Sequence, residues 1–206
     1  MSEVKDLQDK IKIINNKTTP SHIIEQIFSG NEEHRSLYSP ILHNENTPAA
    51  VLSAIYNKLV TLQPLDDEIP EKGLIHHLQR NKTEYLSVIA THQNTPMEIF
   101  TQLSHSVPRV RAALARNPKV DPHLLESILP NADFNTKIGL AINPSCPPEV
   151  IQSLAQENWD IKKWLAQNNS TPNEILTELM SEADLQKNSE NIKIAIVDHP
   201  NYKNKI

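Results

Sequence analysis

The feature that most restricts the fold is a period of about twenty-five residues. The stretch VRAALARNPKVDPHLLESIL, from Val110, superposes without a gap on TKIGLAINPSCPPEVIQSLA from Thr136 and on IKKWLAQNNSTPNEILTEL from Ile161. A unit of that length cannot bury an apolar face alone, so units must stack on one another and the chain is confined to a quasi-one-dimensional array. Carried in both directions, the Asn117 column reads Asn16, Asn44, Asp67, His92, Asn117, Asn143, Asn168 and His199, at steps of 28, 23, 25, 25, 26, 25 and 31 residues. The regular units sit in the middle.

Four residues past that column a helix is expected to start, at Pro20, Pro48, Glu71, Pro96, Asp121, Pro147 and Pro172. Proline at the first helical position gives up no intrahelical bond and has a suitable φ, and Thr19, Thr47, Thr95 and Thr171 stand before it as N-caps. Thr95 with Glu98 and Thr171 with Glu174 have capping-box spacing. Apolar residues come next at helical spacing, as in Ile23, Ile24, Ile27 and Phe28, which predicts one-sided helices of about three turns. Each leads through a short polar link into a second segment of about eight residues. There a bulky column (Ile13, Ile41, Ile89, Leu114, Leu140, Leu165, Ile196) adjoins a mostly small one (Ala90, Ala115, Ala141, Ala166, with Val197), which lets two layers approach closely.

Composition matters at one point: three glycines stand against fifteen prolines. Gly30, Gly73 and Gly139 are too far apart to build a glycine-rich phosphate loop, which argues against a nucleotide-binding fold. The same scarcity bears on the asparagine column. The simplest reading is that asparagine, which tolerates the left-handed conformation, ends each second segment in place of glycine. The other is a buried ladder in which each side chain bonds the backbone of the adjacent repeat.

Residues 60–72 (VTLQPLDDEIPEK) and 181–191 (SEADLQKNSEN) break the pattern and read as irregular loops within the array, because the register resumes after each. The expected organisation is an all-α solenoid of about seven repeats, longer α-helices alternating with short α or 3₁₀ segments, in a single domain over residues 1–206. It is regular over 93–198, degenerate over 8–92, and residues 199–206 begin a unit that stops. The lone Cys146 excludes an internal disulfide framework or a four-thiolate metal site and points to an intracellular, cytoplasmic protein. Charges run through the first thirty positions, so neither a signal peptide nor a membrane span is visible. The net charge of −5 is shared by both halves and advertises no nucleic-acid partner.

The stretch from Val110 to Leu129 resembles the leucine-rich repeat variant family, whose repeat carries an Asn-Pro, a proline-led helix with paired leucines and a Val-Arg-x-Ala-x-Ala segment. Residues 93–198 fit that pattern well and 8–92 loosely. The resemblance implies α-helices alternating with short 3₁₀ segments in a right-handed superhelix without strands. It also implies the use made of similar HEAT and armadillo arrays, a surface for a partner. A founding member carries a cysteine-rich iron–sulfur module ahead of its repeats. No cysteine precedes Cys146 here, so no cofactor carries over.

Outside the expected core, the sharpest feature is a charge column. One position of the second segments holds Lys10, Arg111, Lys137, Lys162 and Lys193. Stacked repeats place equivalent positions in a row ~10 Å apart, and Arg109, Arg116 and Lys119 thicken the resulting ridge. Such a ridge would dock an acidic protein segment or phosphates. The ordinary alternative is a solvated face, with Asp133, Glu157, Asp160, Glu182 and Asp184 near enough to pair with the cations. Trp159 and Trp164 lie in the same repeat, and Trp164 fills a column otherwise holding Val88, Ala113, Gly139 and Ala195. Its ring must fill a gap or project outward, where it could anchor a partner.

Chemistry finds little support. His76 and His77 are adjacent rather than four apart, His92 and His199 fill the asparagine column, and no spacing resembles a metal-ligand set. Cys146, just before Pro147 and Pro148, has no base nearby in sequence. The expectation is therefore a non-catalytic interaction scaffold or adaptor holding an acidic partner through Arg109, Arg111, Arg116, Lys137, Lys162 and Lys193, with Trp159 or Trp164 as anchor. The alternative is nucleic-acid binding on the same strip, and less so a HEAT-like DNA glycosylase. End-to-end self-association through an exposed layer of Ile192, Ile194 and Ile196 is a further expectation.

Overall fold

The computed structural model describes residues 2–61, 72–185 and 189–203, of which 2–5 and 72–80 as backbone alone. Among the described residues the fold is all-α: thirteen helices, two short 3₁₀ turns and no strand. The chain gathers into two compact units, Met1–Val110 and Arg111–Ile206. The first holds α1 (Ser2–Asn15), α2 (Ser21–Ser29), α3 (Tyr38–Leu42), α4 (Ala49–Thr61), α5 (Lys72–Thr91) and α6 (Met97–Leu103). The boundary falls inside α7 (Pro108–Ala115). The second unit continues with α8 (Pro122–Ile128), α9 (Phe134–Ile142), α10 (Pro148–Leu154), α11 (Trp159–Leu165), α12 (Asn173–Leu185) and α13 (Glu190–Asp198).

The bulky and small columns build the core of each unit. Ile41, Ile89, Leu114, Leu140, Leu165 and Ile196 are wholly buried, as are Ala90, Ala115 and Ala141. Gly139 shows how close the layers come. A Cβ there would sit 2.9 Å from both the Ala112 carbonyl oxygen and the Ala115 Cβ, so only glycine fits where α9 meets α7.

Helix starts differ from expectation by one position. Pro20, Pro96 and Pro147 are N-caps with extended ψ of 147°, 149° and 152°, and each helix begins at the next residue. The threonines before the helix-leading prolines do not cap the helix ahead. Thr47, Thr95 and Thr171 instead donate their hydroxyls back to the carbonyls of Ile41, Ile89 and Leu165, at 2.5, 2.7 and 2.7 Å. A residue preceding proline is pushed toward extended backbone, and here its hydroxyl closes the turn against the preceding helix.

The asparagine column is a ladder and not a set of left-handed helix ends. Asn143 has φ −75° and ψ 120°, and His199 has φ −66° and ψ 135°. In the second unit, buried Asn143 donates Nδ2 to the carbonyls of Ala115 and Asn117 at 2.8 and 3.0 Å, and Asn168 does the same to Ala141 and Asn143. In the first unit Asn44 donates to Ile14 and Asn16. His92 and His199 replace the amide with a ring whose Nε2 donates to the carbonyls of Asn44 and Asn168 while Nδ1 accepts from the N–H two residues on, so the His92 rung joins residues 48 apart in the chain and bypasses the Asp67 position of the sequence column. A second rail lies two positions later. Asn46, Asn94 and Asn201 donate side-chain N–H groups to the preceding turn, and Ser145 and Ser170 donate hydroxyls.

Two further expectations change. In place of a helix, link and second segment after Glu71, α5 runs unbroken over twenty residues, because KGLIHHLQRNKTEYLSVIAT has no proline and its one glycine is second. Residues 181–185, expected as loop, form the last turns of α12. The second segments are α-helical, one of the two expected forms, and among the described residues 3₁₀ geometry occurs at Arg35–Leu37 and Leu129–Asn131. Asp67, Glu71 and most of the irregular stretch at 60–72 lie outside the described residues.

Candidate interaction surface

Four of the five column cations reach forward about one repeat, and Lys193 reaches back. In the second unit Lys137 Nζ lies 2.5 Å from Glu157 Oε1 and Lys162 Nζ lies 2.6 Å from Glu182 Oε2, both partners twenty residues on. Arg111 makes the same step, its Nη2 donating to the Asn131 carbonyl at 3.5 Å. Lys193 pairs with Asp184 at 2.9 Å and Glu190 at 3.8 Å, and the hydrogen bond to Asp184 raises its pKa above the ordinary lysine value. In the first unit Lys10 reaches Asn31 and Asp6. In the second unit Lys137, Lys162 and Lys193 are thus each paired with carboxylates. Two of the five acids expected as partners act elsewhere: Asp133 caps α9 and Asp160 pairs with Lys163.

The remaining candidates separate. Arg109 belongs to the first unit, where its Nη2 is 4.0 Å from Glu84. Arg116 is exposed and donates Nη1 to its own helix at the Ala112 carbonyl. Trp159 opens α11 half-buried, while Trp164 is 39% exposed and so projects partly to solvent. Sequence reasoning passes over Phe134, which is 47% exposed at the start of α9. Its signal is there to find: Phe134 shares a column with Trp159, where Pro108 and Glu190 also stand. With half-buried Ile138 and Ile142 and exposed Ile194, these side chains give the second helices of this unit an apolar, aromatic outer face.

Cys146 and the column histidines His92 and His199 are built into the frame. Cys146 occupies the threonine column, is 4% exposed, and burial pushes its thiol up to about 12. A raised folded pKa means that the stability from the protonated thiol is complete below about 9 and declines as the pH climbs toward about 12. Native protein at pH 8 is accordingly expected to resist thiol alkylation that unfolded chain undergoes at once. Equal labelling rates with and without denaturant would contradict this placement. The side chains of His76 and His77 lie outside the described residues. Among those described, no three His, Cys, Asp or Glu side chains gather as a metal site, and no helix is long and apolar enough to cross a membrane. Comparison with protein-family models, with curated proteins and with solved structures finds no match to this chain.

Proposed function

We propose that the chain is a non-catalytic helical-repeat scaffold of the leucine-rich repeat variant kind, a right-handed superhelix in the cytoplasm, that holds a protein partner on its second helices. The observation that carries this reading is the outer face of α9, α11 and α13, where Phe134, Trp164 and Ile194 are 47%, 39% and 57% exposed. Arg116 is exposed in the same unit. Aromatic rings and arginine are the residues that most often carry binding energy at interfaces. The partner that fits is an acidic segment with apolar side chains, which would lay those side chains on the rings and a carboxylate on Arg116. A phosphate backbone would first have to displace Glu157 and Glu182 from Lys137 and Lys162, which favours protein over nucleic acid.

The test starts from affinity purification with the full chain from its native cell, followed by titration of the purified partner. Trp164→Ala is expected to weaken that partner by about 10-fold or more while the far-UV circular dichroism stays unchanged. Undiminished affinity in Trp164→Ala and in Arg116→Glu would overturn the reading, as would a steep salt dependence with nucleic acid as the captured species.

A further inference from the structure

The stacking register within each unit identifies which side of a second helix meets its predecessor and which meets its successor. Gly139, four positions before column residue Asn143, lies against Ala115 and the Cγ of Arg116, which are two and one positions before column residue Asn117. The side four before the column therefore faces backward, and the sides two and one before it face forward. Burial along the second helices obeys this rule. The residue three before the column is 0% exposed at Ile41, Ile89, Leu114, Leu140, Leu165 and Ile196. The residue two before it is at most 1% exposed at Ile14, Leu42, Ala90, Ala115, Ala141 and Ala166.

Two residues break the rule, in opposite senses. Ile13 on α1, three before Asn16, is 45% exposed, and Val197 on α13, two before His199, is also 45% exposed. Ile194, beside Val197 on α13, is 57% exposed, whereas Ile192 and Ile196 are buried. So α1 leaves open its backward side and α13 its forward side, the two sides that elsewhere cover each other. Polar groups are left in the same complementary state. Asn16 is exposed and uses Oδ1 to accept from Thr18, as Asn143 does from Ser145, and its Nδ2 stands in the position from which the other asparagines donate. The matching acceptors two before the column and in it are, on α13, the carbonyls of Val197 and His199. Charge agrees as well. Lys12, four before Asn16, has a side chain 78% exposed and would meet exposed Asp198, one before His199, just as Gly139 meets Arg116.

We propose that α13 of one molecule docks on α1 of a second copy in the register of the repeat stack. Val197 and Ile194 cover Ile13, Asn16 Nδ2 donates to the Val197 and His199 carbonyls, and Lys12 pairs with Asp198. The two faces differ and match each other, so the contact is heterologous, α13 of one copy on α1 of the next. It rests on the register within each unit and shares Ile194 with the partner surface proposed above, but uses none of Phe134, Trp164 and Arg116, so the variants that test the two surfaces are distinct.

Sedimentation of the full chain from about 10 µM to about 1 mM should show a mass that rises with concentration. Ile13→Asp and Val197→Asp each place an uncompensated carboxylate in the contact and should each weaken association by on the order of 100-fold. Both positions are open to solvent, so helicity is expected to persist in either variant. Mixing the two variants is the decisive arm. Ile13→Asp keeps a sound α13 face and Val197→Asp keeps a sound α1 face, so together they should form a discrete dimer and nothing larger. A monomer mass throughout the wild-type series overturns the proposal. So does association that survives Ile13→Asp, or a mixture that stays monomeric.

Discussion

Asn143→Gly is expected to destabilise the protein by about 3 kcal/mol, read as a lower urea midpoint at an unchanged slope. The amide is wholly buried, donates to two main-chain carbonyls of the preceding repeat, and accepts from the Ser145 N–H at 2.8 Å. Its removal strands those groups where water does not reach, and each such loss costs about 1–3 kcal/mol. Glycine is the informative replacement. Were the column there to supply left-handed helix ends, glycine would do the task better than asparagine and the variant would be as stable as the wild type. At φ −75° nothing is gained by glycine's freedom, and the loss of the amide stands alone. Asn143→His should be far milder, because His92 and His199 fill the same position with one ring nitrogen donating and the other accepting.

The second large effect has the opposite sign from helix propensity. Gly139 lies inside α9, where alanine would ordinarily add up to about 1 kcal/mol of stability. Its Cβ, however, would press on the Ala112 carbonyl and the Ala115 Cβ at 2.9 Å, and neither can swing aside. Gly139→Ala is therefore expected to lose about 1 kcal/mol net and Gly139→Leu about 3 kcal/mol, since the larger side chain must separate α9 from α7. Thermal unfolding of the two variants beside wild type checks this; a more stable Gly139→Ala would show that the layers have slack. Trp164 occupies the equivalent position of α11, and its 39% exposure is how a large ring is accommodated where the contact is otherwise tight.

The period of the chain is legible because it is written in columns that serve the stack: bulky beside small, asparagine at the turn, proline ahead of the helix. Those columns place the second helices and most of the core. What they do not reveal is the direction in which a side chain acts. Thr95 reads equally well as a cap for the helix after it or a latch on the helix before it, and only the extended Pro96 decides for the latch. Lys137 and Lys162 align with each other in sequence, yet a row of cations says nothing of Glu157 and Glu182, twenty residues on, which the superposed turns bring against them. The region around α5 misleads for a different reason. Where columns are weak, a helix with no proline simply continues. Phe134 is easily missed because a single aromatic at a helix start has no periodic partner except Trp159.

The rungs of the ladder have a consequence for how such a chain can change its length. Each asparagine supplies the donors, while the acceptors are peptide carbonyls, which any residue provides whatever its side chain. A module added or removed whole thus presents its neighbour with the same two oxygen atoms at the same spacing, and the splice needs no matching mutation on the accepting side. Growth and shrinkage by entire turns are in that sense already licensed by the backbone, and only the donating side chain, amide or imidazole, must be inherited.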